Sequence, residues 1–229
     1  MFDLQGYGPS LLAGASMTIA VGLSAMVMAC ILGLVGAWAK LSASYAARAI
    51  AGVYTTVIRG TPELILLLLL YYGVPTLVQD LASLTGYEII LNFNPFLAGA
   101  VTLGLIYGAF ATEVFRGAFE AIPRGQAEAA QALGMSRFRV VVHITLPQAM
   151  RIALPGLGNV WMVLIKATAL VSIIQLDEVM RKAKIAAGAT HQPFTFYLLA
   201  SFIFLGITLI SSLVQRQLEK KAHRGVGQT

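Results

Sequence analysis

The sequence predicts an all-α integral membrane protein of about five transmembrane helices, and two observations carry that prediction. The chain has 229 residues, 58% of them hydrophobic and only 11% charged, with a mean hydropathy of +0.78. Soluble domains carry about 25% charged residues, so this chain lacks the charge to cover a water-facing surface, and lipid is its natural solvent. The second observation is a set of apolar stretches at about 11–39, 49–78, 95–115, 152–174 and 194–214, each near the roughly 20 residues a helical span needs. They lack the period-two alternation of barrel strands, and helices are the other way to satisfy a backbone in lipid. No linker or low-complexity tract divides residues 1–229, which read as one transmembrane domain.

Taken in order, the first stretch, Leu11 to Ala39, is too long for a signal-peptide core. The residues before it carry no positive charge, so it reads as a retained helix. The second is interrupted by Arg59-Gly60-Thr61-Pro62-Glu63. A short, slightly acidic connection, Gln79 to Asn94 with Asp80 and Glu88, leads to the third. A long patterned connection at about 117–151 separates the third from the fourth, and connections of that length are usually functional. Cys30 stands alone, and His143, His191 and His223 lie far apart, so no metal site is expected.

The net charge is +6, which suits either nucleic acid or the positive-inside bias of a membrane protein. Position decides. With the amino terminus outside, Lys40, Arg48, Arg116, Arg124, Arg137, Arg139, Arg151, Arg216, Lys220, Lys221 and Arg224 fall on the cytoplasmic side, against Arg181, Lys182 and Lys184 outside. That distribution predicts a periplasmic amino terminus and a cytoplasmic carboxyl terminus. No basic patch interleaved with aromatics suggests nucleic acid.

Within the long connection, Pro123 suits a helix start, and helix formers with four alanines run on to Leu133. Gly134 stands where a helix-terminating glycine belongs. Ser136 is a good N-cap for a second helix with apolar Phe138, Val141, Val142 and Leu146. Two short helices hinged at Gly134 are therefore expected at the cytoplasmic surface, punctuated by Pro147 and Pro155.

Glu128-Ala129-Ala130, Gly134 and Ile144-Thr145-Leu146-Pro147 resemble, without a gap, the "EAA" coupling loop of ABC-importer permeases. Arg59-Gly60-Thr61-Pro62-Glu63, Glu113-Val114-Phe115-Arg116-Gly117, Pro123-Arg124-Gly125-Gln126, Leu154-Pro155-Gly156 and Lys166-Ala167-Thr168-Ala169-Leu170 extend the resemblance over nearly the whole chain. The likeness is to the polar amino-acid permeases, most of all the histidine/lysine/arginine/ornithine type and its octopine and nopaline relatives. It implies a type I importer permease fold in the bacterial inner membrane. It also implies a heterodimer with a second homologous permease, an ATPase dimer docked on the loop, and a periplasmic binding protein delivering cargo. The chain has no G-x-x-x-x-G-K-[ST] phosphate loop, so no cofactor is expected on it; ATP and Mg belong to the separate ATPase, and the chain is a transport subunit, not an enzyme. An ion-coupled secondary transporter is the rival reading, and a permease for a different polar amino acid a further one.

The coupling residues implied by the resemblance are Glu128, Ala129, Ala130, Gly134 and Arg137. Charges inside spans are expensive and tend to face a path or a partner. Glu63, beside a helix-loosening proline, is expected to meet a cationic cargo near the midplane. The alternative is an internal pair with Arg59, four residues back, or with Lys166. Lys166 and Asn159 share a helix face and would meet the cargo's carboxylate, or Lys166 an internal acid. Tyr72 and Tyr107 are candidates for facing the path. Glu113 is expected to steady an inner gate by pairing with Arg59 or Arg116. Trp38 is expected at the membrane interface.

Overall fold

The computed structural model describes residues 4–84 and 94–222; Glu88 and Arg224 lie outside them. Among the described residues the chain is helical throughout, with no strand. The helices are α1 (Gly8–Leu41), α2 (Tyr45–Gly60), α3 (Glu63–Leu68), α4 (Val74–Ser83), α5 (Pro95–Glu120), α6 (Arg124–Ala132), α7 (Arg137–Val140), α8 (Leu146–Ala167), α9 (Val179–Thr190) and α10 (Pro193–Ala222). Among the described residues five helical stretches are long and apolar enough to cross a membrane: Gly8–Leu41, Glu63–Ser83, Pro95–Glu120, Arg137–Ile174 and Pro193–Ala222.

Small residues let α1 and α5 approach closely, as helices in lipid do when van der Waals packing drives association. A Cβ on Gly33 would come within 2.6 Å of the Ala111 Cβ. The central core joins Val21, Ala25 and Ala29 of α1 to Leu103, Ile106 and Tyr107 of α5, Leu66 and Leu67 of α3, and Val160 and Leu164 of α8. A second cluster at the α9 end packs Leu11, Val179, Ala183 and Phe196, and a third at the α6 end packs Ala37, Phe115, Ala149 and Leu157.

Three features differ from the sequence expectation. The second helix of the coupling pair is not separate: α7 runs through a π-turn at Val141–Thr145 into α8, and on through a 3-10 stretch at Thr168–Ile174. Pro147 therefore does not end a helix. It follows the π-turn by two residues, as Pro75 follows the π-turn at Leu69–Gly73. A wider turn relieves the clash between a proline ring and the carbonyl four residues before it. Pro155 likewise lies inside α8. The independent surface segment thus shrinks to α6 and its flanking turns.

The third is α9, between the fourth and fifth stretches, where sequence reading placed only the outer charges Arg181, Lys182 and Lys184 and no helix. Its N-cap is Glu178, fully buried, whose carboxylate accepts from the Met180 and Arg181 backbone amides at 2.8 and 2.7 Å. Thr18 of α1 accepts from the Val179 amide at 3.3 Å, and a Cβ on Gly14 would stand 3.0 Å from that same nitrogen. Burial pushes the Glu178 carboxyl up to about 7, although its two amide donors pull the other way. Asp177 beside it is held below the usual carboxylate range by hydrogen bonds from Lys182 and Arg181.

Candidate functional site

The second apolar stretch read from the sequence is broken at Pro62, and the helical span found there begins at Glu63. Thr61 (φ −106°, ψ 137°) and Pro62 (φ −57°, ψ 135°) are extended, so α2 stops at Gly60 and α3 starts at Glu63. The two halves still run together, antiparallel to α5. Thr55 of α2 lies at the level of Glu113, joined through Lys40. Arg59 stacks over Phe110, Cζ 5.2 Å from the ring centre. Glu63 accepts from the Tyr107 hydroxyl at 2.9 Å. Leu70 and Val74 line a small apolar cleft with Leu97, Ala98, Val101 and Thr102. At 1.5 Å per residue, Tyr107 stands about 18 Å from one end of α5 and about 20 Å from the other. The break, and Glu63 with it, therefore lies level with the middle of α5.

That geometry separates the charges that sequence spacing would pair. Four residues apart on a continuous helix, Arg59 and Glu63 would be neighbours; two extended residues between them undo that. Glu63 is half-buried and its hydrogen bond is to Tyr107, not to Arg59 or Lys166. Arg59 is exposed, and among the described residues its contact is the Phe110 face.

Glu113 pairs with Arg116, Nε to Oε2 at 2.9 Å, as expected, but its other partner is Lys40 of α1, not Arg59. Lys40 Nζ also donates to Thr55 at 2.6 Å, and Arg116 reaches Glu120 at 2.7 Å. The network ties α1, α2 and α5 together at the α6 end. Lys40 was read from sequence only as a topology charge, because its partner lies 73 residues away.

Asn159 and Lys166 share an exposed stripe of α8 with Ile152, Pro155 and Val163, and neither touches Glu63. The exposed stripe of α1 makes a contrast. It offers Leu12, Ile19, Leu23, Val27, Ile31 and Val35, with Ser16 and Ser24 bonded to their own helix carbonyls. Lipid satisfies that face, whereas an amide and an ammonium at membrane depth require a polar neighbour. Tyr72 is half-exposed and packs edge-on against Tyr71, ring centres 4.7 Å apart; Tyr107, which bonds Glu63, is fully buried. Trp38 is exposed near the end of α1.

Beyond the bundle, α6 exposes Glu128 and Ala129 and buries Ala130. Its end is a Schellman turn: the Met135 amide donates to Ala130 at 3.1 Å and the Gly134 amide to Gln131 at 2.9 Å, with Gly134 at φ +84°. Ser136 then caps α7 by accepting from the Arg139 amide. Leu133 and Phe138, on either side of this turn, are 86% and 74% exposed, and Arg137 is exposed between them. Gln148 of α8 donates to Gln126 of α6 at 2.5 Å, strapping the helix to the fourth span.

Residues 25–224 match the family described as "Binding-protein-dependent transport system inner membrane component". The chain is 42% identical to the octopine transport system permease protein OccQ of Rhizobium radiobacter, over 98% of this chain and 95% of that one. Identity is 43% to the histidine/lysine/arginine/ornithine transport system permease protein HisQ of Salmonella typhimurium (strain LT2), over 97% of each. Among solved structures, an amino acid ABC transporter with histidines superposes with a TM-score of 0.78 at 32% identity, covering 94% of this chain and 95% of that one.

Proposed function

Since the chain belongs to the family of inner membrane components of binding-protein-dependent transport systems, we propose that its cargo is a cationic amino acid, of the histidine, lysine, arginine and ornithine group, or an opine related to one. It is a multi-pass permease subunit of an amino-acid importer, not an enzyme; ATP is hydrolysed on a separate chain. Family membership sets the ion-coupled alternative aside. The observation that carries the cargo reading is Glu63: a carboxylate level with the middle of α5, at a helix break, in no salt bridge among the described residues. Discontinuous helices near the midplane are where transporters hold charged cargo.

The remaining parts fit one cycle. The Asn159–Lys166 stripe faces the second, homologous permease across a shared path. The α6 end is cytoplasmic, and the tip around Glu128, Gly134 and Arg137 enters a groove of the ATPase dimer, with Ala129 permitting close approach. ATP and Mg act there, outside this chain. The strap from Gln126 to Gln148 passes the motion of α6 into the fourth span. The periplasmic binding protein loads cargo from the α9 side, where the amino terminus also lies. Lipid covers the apolar face of α1.

Purified with its ATPase and partner permease and reconstituted into vesicles, the complex takes up labelled arginine, lysine or an opine when ATP and binding protein are supplied. Uptake confined to neutral or acidic amino acids overturns the cargo reading.

A further inference from the structure

The break at Thr61–Pro62 leaves two opposite charges side by side on one face of α5, neither of them in a salt bridge among the described residues. Tyr107 and Phe110 lie one turn apart, ring centres 5.7 Å from each other. Glu63 is held on the first by the hydroxyl at 2.9 Å, and Arg59 on the second with Cζ 5.2 Å from the ring centre. Yet the structure forms no salt bridge between them, because the residues joining them are extended. A guanidinium stacked on an aromatic face keeps its N–H edge free. Arg59 is exposed and stands about 15 Å along α5 from its nearer end; an uncompensated charge within the bilayer is costly.

We propose that Arg59 is the carboxylate receptor of the cargo site: Glu63 takes the cationic group and Arg59 forks around the α-carboxylate, so the site reads the zwitterion at two points. This rests on the cationic-cargo reading above and adds to it the second point of recognition. The planar guanidinium suits a bidentate bond to a carboxylate. Phe110 aims Arg59 and Tyr107 aims Glu63; both are positioning residues. The functional readings of Glu63, Tyr107 and Phe110 need no free carboxylate on the cargo, whereas that of Arg59 does.

The test is binding of arginine and of agmatine, which is arginine without its carboxylate, to the purified permease–ATPase complex with binding protein omitted. The wild-type complex binds arginine at least about tenfold more tightly than agmatine. Arg59→Gln weakens arginine roughly ten- to hundredfold, the range of one charge-assisted bond, and leaves agmatine unchanged. Glu63→Gln weakens both. Arg59→Lys, which keeps the charge but not the fork, falls between wild type and Arg59→Gln for arginine alone. Equal weakening of arginine and agmatine by Arg59→Gln, or no weakening, overturns the proposal while leaving the cargo reading standing. So does failure of both Arg59 variants to assemble, which assigns Arg59 to a contact with the partner permease. A wild-type complex that binds none of arginine, lysine, histidine, ornithine, octopine and nopaline removes the cationic-cargo reading itself.

Discussion

Glu63 and Arg59 would form an ion pair on any unbroken helix, and two extended residues keep them apart. Sequence reading found both charges and the proline between them. It could not decide the pairing, because i,i+4 spacing implies contact only where the helix continues. Tyr107 was legible as a candidate, but its bond to Glu63 spans 44 residues and has no local signature. The same holds for Lys40 and Glu113. Glu113→Gln keeps the shape and removes the charge that binds Lys40 and Arg116 together. Expected is a loss of about 1–3 kcal/mol in stability, seen as a lower melting temperature of the purified complex, with Lys40→Met giving a similar loss and the double variant less than their sum. Strict additivity of the two would mean that they do not interact.

Helix ends, unlike pairings, are written locally, so α6 and its stop at Gly134 were legible from small residues, a glycine and a serine cap. What was not legible is that α7 continues into α8, since proline normally signals an end and the π-turn that accommodates it has no sequence mark. Because Gly134 holds φ +84°, which proline cannot adopt, Gly134→Pro should unseat α6. Glu128→Arg should reverse the charge offered to the ATPase. Either variant is expected to insert normally yet lose most ATP-driven uptake; wild-type uptake with normal ATPase binding would remove α6 from the coupling role. At the opposite end, α9 escaped sequence reading because its cap is a buried glutamate, a residue type that usually signals a solvated surface. The protonated form of Glu178 is favoured by folding, since its carboxyl is raised to about 7. The folded state therefore binds the extra proton, and stability falls as pH rises from the ordinary carboxylate range through about 7. Glu178→Gln is expected to flatten that slope in melting curves taken between pH 4.5 and 7.5. An unchanged slope would place the titrating group elsewhere.

On the scale of the whole chain, the apolar stretches gave the bundle, and the lysines and arginines predict an orientation for it. Sequence reading put Asn159 and Lys166 on one face of a helix, but that this face is exposed emerged only from the structure. The orientation predicts that a cysteine at Gln228, in a Cys30→Ser background, is labelled only from the cytoplasmic side; labelling in intact cells by an impermeant reagent would invert the topology. The central claim is that this bundle carries cationic cargo past Glu63 at mid-depth. Its most direct test is ATP-dependent uptake of arginine and of citrulline, which replaces the guanidinium by a neutral ureido group, in vesicles bearing the wild-type or the Glu63→Gln complex. Loss of a charge-assisted bond predicts arginine uptake reduced roughly ten- to hundredfold and citrulline uptake much less affected. Equal losses for both cargoes, or an unchanged arginine rate, would contradict it.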